Sequence, residues 1–183
     1  MLRSRVQFPV EAFVKRQLYK AFFCSGGMAD ISKLKEQYAS FVGKYKLPSF
    51  EALNADFDID KIEQDSTLVL RSVRKAVLEK VFNTLSFFEM LLNPANAPRM
   101  YFSYLKTMPV EDKAILEKLY NSFGSLVLAA LPLEAGYDEK AEAAMIVRSS
   151  QVWHDAKKDL TTLFQHVANP VSAQKKKEKS YFG

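Results

Sequence analysis

The sequence predicts an all-α fold, a single-domain bundle of about five to six helices around one long helix at roughly residues 60–93. Three observations carry this expectation. Apolar residues recur at three- and four-residue spacing in segment after segment. Gly and Pro number only 6 and 7 in 183 residues, which suits helices better than a turn-rich β architecture. The stretch from Asp60 to Asn93 contains neither, so nothing in its local chemistry stops a helix before Asn93-Pro94. A continuous helix of that span reaches about 51 Å, so neighbouring segments are expected to pack along it.

Length and composition bound the rest. A chain of 183 residues makes one domain with a sizeable core, and 48% hydrophobic with 13% aromatic residues argues against wholesale disorder. No run approaches the ~20 consecutive apolar residues that cross a bilayer. The richest window, Phe123 to Leu133, is too short, so a soluble protein without a membrane span is expected. The single cysteine, Cys24, rules out an internal disulfide framework and makes a reducing, cytoplasmic compartment the expectation.

The net charge of +5 is unevenly spread. Residues 1–27 carry Arg3, Arg5, Lys15, Arg16 and Lys20 against Glu11, a balance of +4. Residues 169–183 carry Lys175, Lys176, Lys177 and Lys179 against Glu178, a balance of +3. The body between them holds 17 basic and 19 acidic groups, or −2. Attraction to nucleic acid or to an anionic membrane is therefore expected at the ends.

Residues 1–27 form a basic amphipathic extension in which Val10, Phe13, Val14, Leu18, Ala21 and Phe22 recur at helical spacing. Three readings stand side by side: a helix docked on the body, a targeting segment, or sequence upstream of a start at Met28. The bundle itself is expected over residues 28–169. Its first helix is predicted over about Asp30 to Lys46, with Ile31, Leu34, Tyr38, Phe41, Val42 and Tyr45 on one stripe, Asp30 as N-cap and Pro48 as stop. A short turn of helix follows, with Phe50, Leu53 and Phe57 facing inward. The alternating acids of Asp56 to Asp60 suggest a calcium loop, but that template needs Gly where Lys61 stands and Glu where Thr67 stands. Asp60 with Glu63 reads better as a helix start signal.

In the long helix the inward stripe is Val69, Val73, Val77, Val81, Leu85, Phe88 and Leu92. Its steps average about 3.8 residues, the period of a globular bundle helix and not of a coiled coil. Past the loop at Asn93 to Pro98, a short aromatic helix is expected from Arg99 to Thr107, its aromatics serving core or interface packing and not base stacking. Another begins at Pro109, with Ile115, Leu119, Phe123, Leu126, Val127, Ala130 and Leu131 inward and Glu111, Asp112, Lys113, Glu117 and Lys118 outward. Pro132 is expected to kink or end it. Asp138 caps the last helix, Glu139 to Ala168, whose stripe is Met145, Val152, Trp153, Ala156, Leu160, Leu163, Phe164 and Val167. Residues 170–183 read as a disordered basic tail.

The chemical inventory is thin. No phosphate-loop, dinucleotide, zinc or di-iron motif occurs, and no acid stands out on an apolar stripe. His154 and His166 are too far apart around one helix to share a metal, and neither has a sequence-visible acid partner, so surface histidines are expected. No catalytic residue, cofactor or metal site is predicted, and a non-catalytic binding or assembly module is the expectation. Its anion- or nucleic-acid-binding candidates are Lys175, Lys176, Lys177 and Lys179 in the tail, with Arg71, Arg74 and Lys75 on the outer face of the long helix. Those last three are like charges at helical spacing with no evident local partner, so a solvated face with acids from another helix is expected, with phosphate or RNA contact as the alternative. The alternative is a protein-binding adaptor or homodimer without nucleic acid, read from the aromatic surplus at residues 82–105; an all-α enzyme is third. The tail's basic run before Tyr181-Phe182 distantly resembles the sliding-clamp-binding peptides of replication and repair proteins. Gln174 lies one position too far away for that pattern, and no aliphatic residue fills the place between. The chain as a whole resembles no characterised family.

Overall fold

The computed structural model describes residues 31–62 and 68–169, which form six α-helices and no strand. They are α1 (Ile31–Tyr45), α2 (Phe50–Phe57), α3 (Val69–Leu92), α4 (Phe102–Thr107), α5 (Val110–Ala135) and α6 (Glu139–Ala168). Single 3₁₀ turns lie at Ile59–Lys61, Pro94–Asn96 and Arg99–Tyr101. The N-terminal extension, Glu63 and the basic tail lie outside the described residues.

Helices α3, α5 and α6 make the bundle. Phe88 stacks on Phe123, which stacks on Trp153 at 5.7 Å and 12°, so one aromatic column runs through all three helices. Helix α5 runs antiparallel to its neighbours: Arg74 meets Glu134 where Phe88 meets Phe123, and Phe123 meets Trp153 where Asp112 meets His166. Helix α1 packs against α3 and α6, and its C-terminal end is pinned by Lys44 and Tyr45, which both donate to Glu139 Oε1. The Lys44 ammonium and the Tyr45 hydroxyl together hold the Glu139 carboxyl below its usual range. Helix α2 is capped by Ser49, whose Oγ accepts from the Ala52 N–H at 3.1 Å, and it buries Phe50, Leu53 and Phe57 as expected.

The long helix is shorter than its composition suggests. It begins at Val69, not Asp60, and its 24 residues span about 36 Å. Tertiary packing overrides the local preference. Asp58 closes α2 in the left-handed conformation at φ 52°, and Ile59 is drawn wholly into the core. Ile62 then continues as extended chain. Asp60 is therefore no helix start; its N–H donates to Asn54 Oδ1. Pro132 does not end α5, which continues to Ala135. Both Pro132 and Leu128, the residue whose carbonyl the proline leaves without an N–H, are exposed, so water can serve that carbonyl. The 99–107 segment divides into a 3₁₀ turn and α4, with Tyr104 buried and Tyr101 edge-on to Phe87. By length and composition α5 could cross a membrane, its best window reaching a mean hydropathy of 1.2. A search for uninterrupted apolar runs overlooks this because Asn121, Ser122, Gly124 and Ser125 break the run without adding charge. Here α5 packs against α3 and α6, with 28% of that window buried.

Candidate functional site

The Arg71, Arg74 and Lys75 cluster lies where the start of α3 passes the α5–α6 turn. Glu142, in the first turn of α6 and fully buried, accepts from Arg71 Nε at 3.1 Å on one oxygen and from Arg74 Nε at 2.5 Å on the other. Arg71 Nη2 also donates to the carbonyls of Leu133 and Gly136, satisfying groups that the end of α5 leaves open, while its guanidinium lies 5.3 Å from the Tyr137 ring. Arg74, only 1% exposed, donates from Nη1 to Glu134, and Lys75 lies 3.4 Å from the other Glu134 oxygen. The Arg74 hydrogen bond holds the Glu134 carboxyl below its ordinary range. The three cations thus have acid partners on other helices, as a face with cross-helix acids requires; what is corrected is its solvation, since Arg74 is buried. Their repulsion is offset by Glu142 and Glu134, which arrive from α6 and α5 and are invisible to a reading of α3 alone. Three cations share two carboxylates, and Arg74 Nη2 is buried without a hydrogen-bond partner among the described residues.

A second cluster ties the other end of the bundle. Asp112, expected on the outside, is 2% exposed. It accepts from the Tyr104 hydroxyl at 3.0 Å and faces His166 Nδ1 at 2.9 Å. His166 is consequently not a plain surface histidine. Because α5 and α6 are antiparallel, the first turn of one meets the last turn of the other, where an acid and an imidazole each suit the helix dipole. Burial, helped by the Asp112 charge, pushes the Tyr104 phenol above its usual range. No group of three or more His, Cys, Asp or Glu side chains is placed to hold a metal among the described residues.

Both clusters left a signal in the sequence, which corrects the expectation that no acid lies on an apolar stripe. Glu142 precedes Met145 by three residues and Ile146 by four, and Asp112 precedes Leu116 by four, so each lies on its helix's buried stripe. Ser149 falls on the α6 stripe as well, and its buried hydroxyl has no hydrogen-bond partner among the described residues.

Between α3 and α5 lies an open groove of about 620 Å³. Leu78, Phe82 and Asn83 line one wall and Val127, Ala130 and Leu131 the other, with Arg74, Lys75, Glu79 and Glu134 at its charged end. It extends about 14 Å along α3. Leu131, expected to face inward, is 58% exposed, and Leu128 beside it is 67% exposed. Phe164, also expected inward, is 42% exposed and helps line a smaller hollow of about 310 Å³ between α3 and α6. The tail candidates Lys175, Lys176, Lys177 and Lys179 lie outside the described residues. No protein family, curated protein or solved structure matches the chain.

Proposed function

We propose that the protein is a non-catalytic helical binding module whose α3–α5 groove receives an amphipathic helix of a protein partner. The observation that carries this reading is the apolar surface that α5 leaves open beside α3, with Leu131 and Phe82 exposed in the groove and Leu128 exposed outside its lining. Helix α1 covers the furrow between α3 and α6, whereas no described helix fills the one between α3 and α5. An amphipathic helix has the diameter and the apolar stripe to complete that position, the mode by which helix-in-groove modules bind. The experiment places a photo-crosslinking residue at Leu131 and, as control, at the exposed Glu117, about 21 Å away along α5 and outside the groove. Crosslinked peptides at Leu131 that carry a helical apolar stripe, and whose synthetic copies bind the purified protein, are the expected result. Equal crosslinking at both positions, or none at Leu131, overturns the reading.

A second element of the same reading is weak nucleic-acid association through the tail lysines Lys175, Lys176, Lys177 and Lys179. It is favoured by charge distribution: the body's own basic cluster is occupied by Glu134 and Glu142, which leaves the ends as the source of attraction. Anisotropy titrations with DNA and RNA at low and high salt, with and without residues 170–183, test it. Salt-insensitive binding, or none, sinks it.

A further inference from the structure

The rim of the α3–α5 groove carries both signs of charge in a fixed order, and that order describes the helix that fits it. We infer that the occupant carries an acidic residue that meets Lys75 and, about one turn further along, a basic residue that meets Glu79. This inference rests on the groove being the binding surface.

At the charged end, Arg71, Arg74 and Lys75 are opposed by Glu134 and Glu142, so the cluster holds one cation more than it holds acids. Glu142 has both oxygens engaged by guanidinium nitrogens, and Glu134 divides its two between Arg74 and Lys75. Arg74 is buried together with its Nη2, so the cation within reach of the groove is Lys75, whose side chain is 56% exposed and has one long contact. A carboxylate arriving here finds spare donors on the exposed Lys75 ammonium. Glu79 stands one helical turn beyond Lys75, exposed and without an ion pair among the described residues, and it repels that same carboxylate. The rise between the two positions on α3 is about 6 Å, which one turn of an adjacent helix matches.

The same geometry argues against a lipid surface as the occupant. The apolar floor is concave and its lip is charged, whereas a bilayer presents a flat face to which exposed acids such as Glu79 and Glu134 are repelled when it is anionic.

The probe is a synthetic amphipathic peptide with a leucine stripe, carrying a Glu and, one turn later, a Lys on the flank of the stripe. A nitroxide label sits at its Glu end. Binding is followed on the full-length protein by amide and methyl NMR. Shifts at Leu78, Phe82, Val127 and Leu131, with paramagnetic broadening concentrated near Lys75, are expected. Replacing the peptide's Glu and Lys by Gln weakens binding about fivefold, the value of two exposed ion pairs. The double variant K75E/E79K, both at exposed positions, turns the bound peptide end for end, and the broadening moves toward the Asn83 end. Groove shifts with equal broadening at both ends, or no reversal in K75E/E79K, overturn the charge order and leave the groove reading standing. Absence of shifts at these residues overturns both. Flotation with phosphatidylserine-containing vesicles, abolished by L131E, replaces the partner helix with a lipid surface.

Discussion

Glu142 binds two guanidinium groups at a site with no solvent access, and its removal strands both charges. Glu142→Gln is therefore expected to cost about 3–5 kcal/mol in urea-denaturation stability, the range for breaking a buried pair from one side. Glu134→Gln is expected to cost less than about 1 kcal/mol, because that side chain is 50% exposed. The contrast separates a structural fastener from its solvated neighbour. Acid and alkali act on different residues. Glu134 and Glu139 have carboxyls lowered by their cationic partners, so their contribution is present at neutral pH. It fades as pH falls below the ordinary value of 4.5. Tyr38 and Tyr104 have phenols raised by burial, so their contribution is intact below pH 10 and is lost above it, as the unfolded chain ionises first. Tyr104→Phe is expected to soften the alkaline loss of stability measured by pH-jump denaturation, while it leaves an Asp112 oxygen one donor short at neutral pH.

At the scale of elements, the α3 boundary is decided by a side chain outside the helix. Ile59 is fully buried between α2 and α3, and Ile59→Ala is expected to cost about 2–4 kcal/mol by leaving a cavity that its 3₁₀ turn cannot close. Pro132 has the opposite character: it sits in the last turns of α5, exposed, without an N–H to donate. Pro132→Ala is expected to stabilise the protein by about 1 kcal/mol in the same denaturation assay, once the looser unfolded chain offsets part of the regained helix. These two positions show where sequence reading reaches and where it stops. The stripes of α1 and α2, the Asp138 cap and the stop at Asn93-Pro94 were legible because each is set by spacing or capping within one segment. The start of α3 was not, because nothing near Asp60 encodes the pull of the core on Ile59. The acid partners of Arg71, Arg74 and Lys75 come from residues about 60 to 70 positions away, so only the bundle's antiparallel and parallel pairing brings them together. Glu142 and Asp112 were missed as acids on apolar stripes, because i,i+3 and i,i+4 spacing to apolar residues places a side chain on a buried face without naming its counter-ion.

For the whole molecule the question is why a bundle of this size leaves so much of α5 uncovered. The best window of α5 has a mean hydropathy of 1.2 and is 28% buried, and the large apolar side chains that α5 exposes include Leu128 and Leu131, of which Leu131 lines the α3 groove. If that surface were part of the fold's own stability, polar replacements there would unfold the chain. Both side chains are more than half exposed, so their removal opens no cavity and strands no polar group. The double variant L128E/L131E is therefore expected to keep its denaturation midpoint within the equivalent of about 0.5 kcal/mol of the parent. The carboxylate added at position 131 lies on the apolar wall and not at the Arg74 end, so an incoming leucine stripe meets a charge it cannot pair. Binding of an amphipathic peptide is expected to fall by about tenfold or more, since a buried, unpaired charge costs well over a kcal/mol. Equal losses of stability and binding would make α5's outer face a structural surface. Unchanged stability with lost binding marks it as a face kept apolar for a partner, with the folding core and the docking surface on opposite sides of one helix.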